Sequence, residues 1–455
     1  VVEQKAAALA ELGVDGPQWQ DCAEGWTHPF RAPARAAWSA MPAVDQLLPW
    51  GAAGVKPNRT WVYAPEPATL RARWNALVSA PIEERPGLLK ETAATGADSD
   101  PAPIPGMVPH SGPLAAETGE CPEPRLVGHR AFDRKHVIPD RRVLHSPSPP
   151  LWRAHSEQQV YLVERHRYRH DSGPALVFSG LIPDMDFHSG CGGGRAHPLY
   201  RDAAADIPNV SPKLLEFLGQ QLQCPVTAPD LMAYLAAVAA HPGYARRFHE
   251  ELRTPGVRIP LTRSAQLWRR GVDLGREVIW LHTFGERCAD PDAGRPLGTQ
   301  NLVDGKPQVL VRIPDAENAV PEALSYDEDA RTLHVGHGQI APVPPEVMDY
   351  EINGTRVVRH WFGYRKRNPA GRRQSPLNDV VATRWTPAMT TELLELLAVL
   401  NRCAALEPRQ DALLAGITSA ALISAGELER AGVLPIPRSA RAAPKPPADG
   451  LFDPP

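Results

Sequence analysis

Apolar residues recur along this 455-residue chain with two distinct periods, and the switch between them marks out its segments. Over residues 67–80 (PATLRARWNALVSA), Leu70, Trp74 and Leu77 fall on one stripe at helical spacing, and residues 82–94 predict a second helix. The period then shortens. Residues 158–170 (QQVYLVERHRYRH) and 174–182 (PALVFSGLI) are rich in branched and aromatic residues, and the intervening HDSG is a turn signal, so the pair predicts a β-hairpin. Helical spacing returns at SPKLLEFLGQQL, where Ser211 reads as N-cap with Pro212 in the first helical position. It continues in DLMAYLAAVAA, with Leu231, Tyr234, Leu235 and Val238 on one face, and in a helix from Ser264 carrying Leu267, Val272 and Ile279. Residues 308–350 return to short strands. Two further helices follow, one with Leu393, Leu396, Leu397 and Leu400 in register and one after Pro408. The predicted class is α+β: small mixed sheets and hairpins packed on a helical scaffold.

Between the first helices and the hairpin lies TGADSDPAPIPGMVPHSGPLAAETGECPEP (95–124), dense in Pro, Gly and Ser and poor in aromatics, which reads as a flexible linker or long loop. The final stretch, residues 436–455, reads as a disordered proline-rich tail. Fifty prolines, about twice the usual share, require many loops. Six cysteines without a CxxC pair suggest reduced thiols and a cytoplasmic setting. Residues 1–13 read as an Ala-rich amphipathic helix rather than an export signal, and no run of about 18 apolar residues appears that could span a bilayer. The chain opens on Val, which suggests a piece of something larger.

The search for catalytic chemistry is largely negative. The sequence holds no GxxxxGK[ST], HExxH or GxSxG motif and no kinase signature set. The cluster GCGGGR (190–195) precedes HPLY, which reads as extended, whereas a nucleotide cradle joins a strand to a helix; a turn fits better. SPPL (148–151) superficially matches the loop with which amino-methyltransferases hold a flipped base, but lacks the aromatic that would stack on it. His166 with His170, and His334 with His337, have metal-like spacing without a third partner, and His282 reads as a core imidazole.

Charge is where the sequence departs from the ordinary. The formal net charge is −3, so attraction to a polyanion must come from local patches. Residues 125–170 carry ten Arg or Lys against four Asp or Glu. In VERHRYRH the strand period of two sends Arg165, Arg167 and Arg169 to one face, a ladder about 7 Å apart that matches a nucleic-acid phosphate repeat. The same pattern fits a solvated hairpin face. Residues 360–373 (HWFGYRKRNPAGRR) are denser still: Trp361, Phe362 and Tyr364 would anchor a loop from which Arg365, Lys366, Arg367, Arg372 and Arg373 project. Neutralising about six phosphates would give a salt slope near −5.

Several stretches resemble the C-terminal region of type ISP restriction-modification enzymes, among them GVKPNRTWVYAPEPATLRARWNALV, RAFDRKHVIPDRRVLHSPSPPLW, GGGRAHPLYRD, LGREVIWLHTFGER and MDYEINGTRVVRHWFGYRKR. They occur in the family's order and cover nearly all of residues 54–422. The resemblance implies target recognition on duplex DNA for a bacterial phage-defence enzyme that methylates adenine and cleaves. It implies residues 1–94 as a helical connector from the methyltransferase part and 125–435 as the recognition domain. S-adenosylmethionine, ATP and Mg would belong to upstream parts, with no cofactor and no catalytic residue in this chain. A separately encoded methyltransferase or translocase is a possible partner; the other readings are a split, active methyltransferase and a protein-binding scaffold.

Overall fold

The computed structural model describes residues 36–188, 193–298, 306–371 and 374–444, so the predicted N-terminal helix lies outside the described residues. The fold is α+β, with small antiparallel sheets around a helical centre. Strands β1 (Ala52–Ala53), β2 (Tyr63–Ala64), β3 (Arg125–Arg130), β4 (Asp133–Val137), β5 (Tyr161–Arg165), β6 (Leu176–Ser179) and β7 (Gly194–Pro198) build two of these sheets. Their orders are β1-β7-β5-β6 and β2-β4-β3. The predicted hairpin is β5–β6, registered Leu162 to Phe178 and Glu164 to Leu176. Strands from before and after residues 95–124 thus share sheets, and the two stretches fold together.

Residues 95–124 are irregular, as their composition requires, yet they are packed rather than loose. Ala97, Ile104, Met107 and Leu114 are buried, and Arg85 donates to the carbonyls of Leu114, Ala115 and Glu117. The segment borrows its order from the body it lies on, because it carries too little apolar surface to order itself.

Helix α1 (Pro67–Val78) buries the anticipated Leu70, Trp74 and Leu77, and α2 spans Leu214–Leu222. Ser211 does not cap α2, since its hydroxyl donates to the Gln46 carbonyl at 2.6 Å and Lys213 occupies the cap position instead. Helix α3 (Ala228–Ala239) is the centre, apolar almost all round and buried from Leu231 to Ala239. It opens with a reciprocal Thr227–Asp230 capping box, and Asp230 also accepts from Arg276 at 2.6 Å. Arg276 lies on α4 (Ala265–His282), which crosses α3 so closely that a Cβ on Gly275 would sit 1.7 Å from the Ala233 carbonyl oxygen. Only glycine permits that approach. Helix α5 (Val357–Gly363) follows the short hairpin at 351–356.

Helix α6 is one continuous element, Pro387–Ser419, where the sequence predicts two. Pro408 forfeits a single N–H bond, but the leucines on both sides, from Leu393 to Leu414, are buried on the same core, and their burial outweighs the local loss. The predicted tail is also partly ordered: Arg201 donates to the carbonyls of Ala440 and Ala442 around a short helix at Arg438–Arg441, while residues 445–455 lie outside the described residues.

Candidate nucleic-acid interface

The β3–β4 hairpin builds the floor of the site. Its connection is only Ala131 and Phe132, with Phe132 at φ 60°, so the charged residues RxxDRK are brought to adjacent rungs. Along β4 the strand period buries Asp133, Lys135 and Val137 on one face. That face meets the end of α5.

There Arg365 is fully enclosed. Its guanidinium donates to Asp133 Oδ1 at 2.8 Å, Glu392 Oε1 at 2.9 Å, and the carbonyls of Trp361 and Arg134, and it stacks 4.0 Å from the Trp361 ring. Burial opposes its charge, but Asp133 and Glu392 outweigh burial and leave its pKa raised. Burial likewise works against the Asp133 carboxylate, yet Arg365 and then Lys135 hold it well below the usual carboxylate range. The sequence-based assignment of Arg365 as a DNA contact is therefore corrected. Its donors tie β4, α5 and α6 together and are not presented to solvent.

Lys135 is the converse case. Its side chain is 4% exposed, its ammonium sits 3.2 Å from the centroid of Tyr364, and its nearest carboxylate oxygen, on Asp133, is 3.9 Å away. Burial depresses its pKa well below the ordinary lysine value, with Asp133 opposing and Arg365 adding to the depression. Among the described residues its ammonium makes no hydrogen bond.

Above this floor opens a cleft of about 280 Å³. Lys56, Arg59, Arg73, Arg130, Lys135, Arg365 and Lys366 line it against Glu66, Asp184 and Asp186. Arg59 and Arg73 matter by their charge. Both are buried and spend their donors on uncharged groups, Arg59 on Leu89, Lys90, Val143 and Thr95, and Arg73 on Trp61, Tyr63 and Val380. Burial pushes each pKa down to about 10, so both remain cationic at neutral pH with no carboxylate bound to them. Asp184, by contrast, is engaged by Tyr63 and Arg130, each at 2.8 Å. Burial raises its pKa, Arg130 opposing.

The remaining anticipated contacts divide. Strand β5 ends at Arg165, because residues 170–173 leave the sheet to bond the 351–354 turn through Asn353, Ser172 and Gly354. The ladder of Arg165, Arg167 and Arg169 is thus not formed. Arg165 and Arg169 both converge on Asp171, at 3.6 and 2.7 Å, whereas Arg167 is exposed with no ion-pair partner among the described residues. Lys366 is half-buried and lines the cleft; Arg367 is exposed and paired with Glu322 at 2.8 Å. Arg372 and Arg373 lie outside the described residues, as do positions 190–192 of the glycine cluster. The cleft's Lys56, Arg130 and Lys135 are not singled out by the sequence, whereas Tyr364, expected as a loop anchor, lines the cleft. The usable signal was the alternation in DRKHV, which places Asp133 and Lys135 on one face.

His282 and His170 behave as core residues, whereas His337 is exposed. His282 accepts from the Phe178 amide at 3.2 Å, and His170 bonds the Gly173 carbonyl. Among the described residues no group of three His, Cys, Asp or Glu is placed to hold a metal ion, and no helix is long and apolar enough to cross a membrane.

A family description, the Type ISP C-terminal specificity domain, matches residues 46–396. The chain belongs to this family. The matched span of the specificity domain contains both the cleft and the β5–β6 tip. Three solved structures share its fold. A DrdV–DNA complex determined by cryo-electron microscopy aligns with a TM-score of 0.56 at 15% identity over 82% of this chain. A nuclease-deletion mutant of the Type ISP restriction-modification enzyme LlaGI, in complex with a DNA substrate mimic, gives 0.52 at 15% over 80%. The ATP-dependent Type ISP restriction-modification enzyme LlaBIII bound to DNA gives 0.54 at 13% over 83%. This chain covers 38%, 28% and 24% of those three chains respectively. Among curated proteins none matches.

Proposed function

We propose that this specificity domain binds duplex DNA and selects the target sequence of a restriction-modification enzyme, serving an adenine methyltransferase and endonuclease active in bacterial phage defence in the cytoplasm. The observation that carries the reading is the cleft, lined besides the enclosed Arg365 by six Lys or Arg side chains against three carboxylates, in a chain whose net charge is −3. Positive charge concentrated on an otherwise neutral body suits a polyanion and does not draw the whole molecule onto any acidic surface. The three similar structures, each a complex with DNA or a mimic of it, support the same partner. In this reading S-adenosylmethionine, ATP and Mg act in parts that the domain does not contain, in a longer chain or in a separately encoded subunit.

Selection from a random duplex library tests the reading. Repeated rounds with the full chain should enrich one sequence, with specific over non-specific affinity of about 10³ or more. Recovery of unenriched sequence would reduce the role to non-specific binding. Absence of any binding would remove it.

A further inference from the structure

Lys135 is a buried ammonium with three donors and no hydrogen bond among the described residues. Its ammonium opens onto the cleft, and a charge with so little water around it gains more from an anion that reaches it than a surface lysine does. Its closest carboxylate, Asp133, is held at 2.8 Å by Arg365 and at 3.1 Å by His129 and is therefore already engaged. Arg130 repeats the pattern beside it. Its Nη1 is satisfied by Asp184 and the His129 carbonyl, whereas its Nη2 lies 3.6 Å from Asp186, beyond hydrogen-bonding distance. Both residues line the cleft, together with Lys56 and Lys366.

We propose that the cleft floor is a seat for one phosphate group of the DNA backbone, with Lys135 as its deepest ligand, Arg130 beside it and Lys56 and Lys366 at its rim. This rests on the reading of the domain as a duplex DNA binder. Shape decides for the backbone over the bases. Base edges lie recessed, about 8.5 Å deep in the major groove, and are read by protein elements that protrude. A concave floor instead receives what projects from the duplex, and phosphates project. Charge agrees with shape, since Arg59 and Arg73 add two cations that no carboxylate binds. The seat fixes where the duplex lies and carries no sequence information of its own.

The test compares the full chain with Lys135→Met, which keeps the length of the side chain and removes its charge. Affinity for a random-sequence duplex should fall about tenfold, and the slope of log K against log salt should become shallower by about 0.9, the share of one phosphate. The sequence enriched from a random library should be unchanged. A scan of single methylphosphonate substitutions in the duplex should reveal one position that weakens the wild-type protein and leaves Lys135→Met unaffected. If Lys135→Met binds duplex with wild-type affinity and slope, the seat is wrong and the DNA reading stands. A changed target sequence would make Lys135 a base contact and likewise overturn the seat. If the wild-type chain binds no duplex, the failure lies with the broader reading. Should Lys135→Met fail to fold, half-exposed Lys366→Ala carries the same test: a shallower slope with the same target supports the seat, and an unchanged slope overturns it.

Discussion

Arg365 and Arg367 stand two residues apart in the same basic run, and their removal should have opposite scales of effect. Arg365→Ala deletes a guanidinium that makes four hydrogen bonds and leaves Asp133, 2% exposed, without its principal cation. Glu392 recovers water on the protein surface, but Asp133 does not. Removing one partner of a buried pair costs about 3–5 kcal/mol, so Arg365→Ala should lose on the order of 4 kcal/mol. With a urea m-value of about 3 kcal/mol/M, the unfolding midpoint should drop by roughly 1 M or more. Arg367 pairs with Glu322 where both side chains are more than half exposed, and its replacement by Ala should change stability by under about 1 kcal/mol. Urea titration of the three proteins, followed by tryptophan fluorescence, measures the difference; Trp361 and Trp385 lie in this region with ring centroids 6.1 Å apart. Equal midpoints for the two variants would refute the structural role assigned to Arg365.

Three further outcomes follow from buried groups elsewhere. Glu164 is buried, and although burial works against its charge, His166 and His197 lower its pKa to about 2. A depressed carboxylate stabilises above its unfolded pKa, so this contribution, on the order of 3 kcal/mol, should be present above about pH 4.5 and vanish as pH falls toward 2; stability against pH in Glu164→Gln should be flatter across that window. Burial depresses His282 and His188 to about 3 each, so the folded chain keeps them neutral while the unfolded chain protonates them. Stability should therefore decline as pH falls below about 6.5, and His282→Asn should show a shallower decline in chemical denaturation. Gly275→Ala would drive a methyl group into the Ala233 backbone and part α3 from α4, which should cost about 3 kcal/mol or more by thermal or urea unfolding.

The elements that were legible in the sequence are those whose pattern is local. The stripe of Leu231, Tyr234, Leu235 and Val238 and the branched runs flanking HDSG led directly to α3 and to β5–β6. Pro408 misled because its penalty is local and the packing that overrides it comes from α3 and α4, distant in sequence. The Arg165 ladder failed for a related reason, since strand periodicity holds only while the strand lasts, and the 351–354 turn draws the chain off the sheet. Arg365 was misassigned because charge density along a sequence does not distinguish a solvent-facing cation from one paired with an acid 232 residues away. Lys135 went unnoticed among neighbours of both signs, although its alternation with Asp133 is visible in DRKHV.

The central claim is that this domain holds a polyanion through a few unengaged cations on a nearly neutral body. It is tested most directly by the affinity of the full chain for duplex DNA across a series of salt concentrations. The account predicts a linear fall of log K with log salt and a slope of about −2, close to one unit for the phosphate in the cleft seat and one for a second phosphate at Arg167. A slope near zero, or affinity for duplex no greater than for an acidic polypeptide at equal ionic strength, would contradict it.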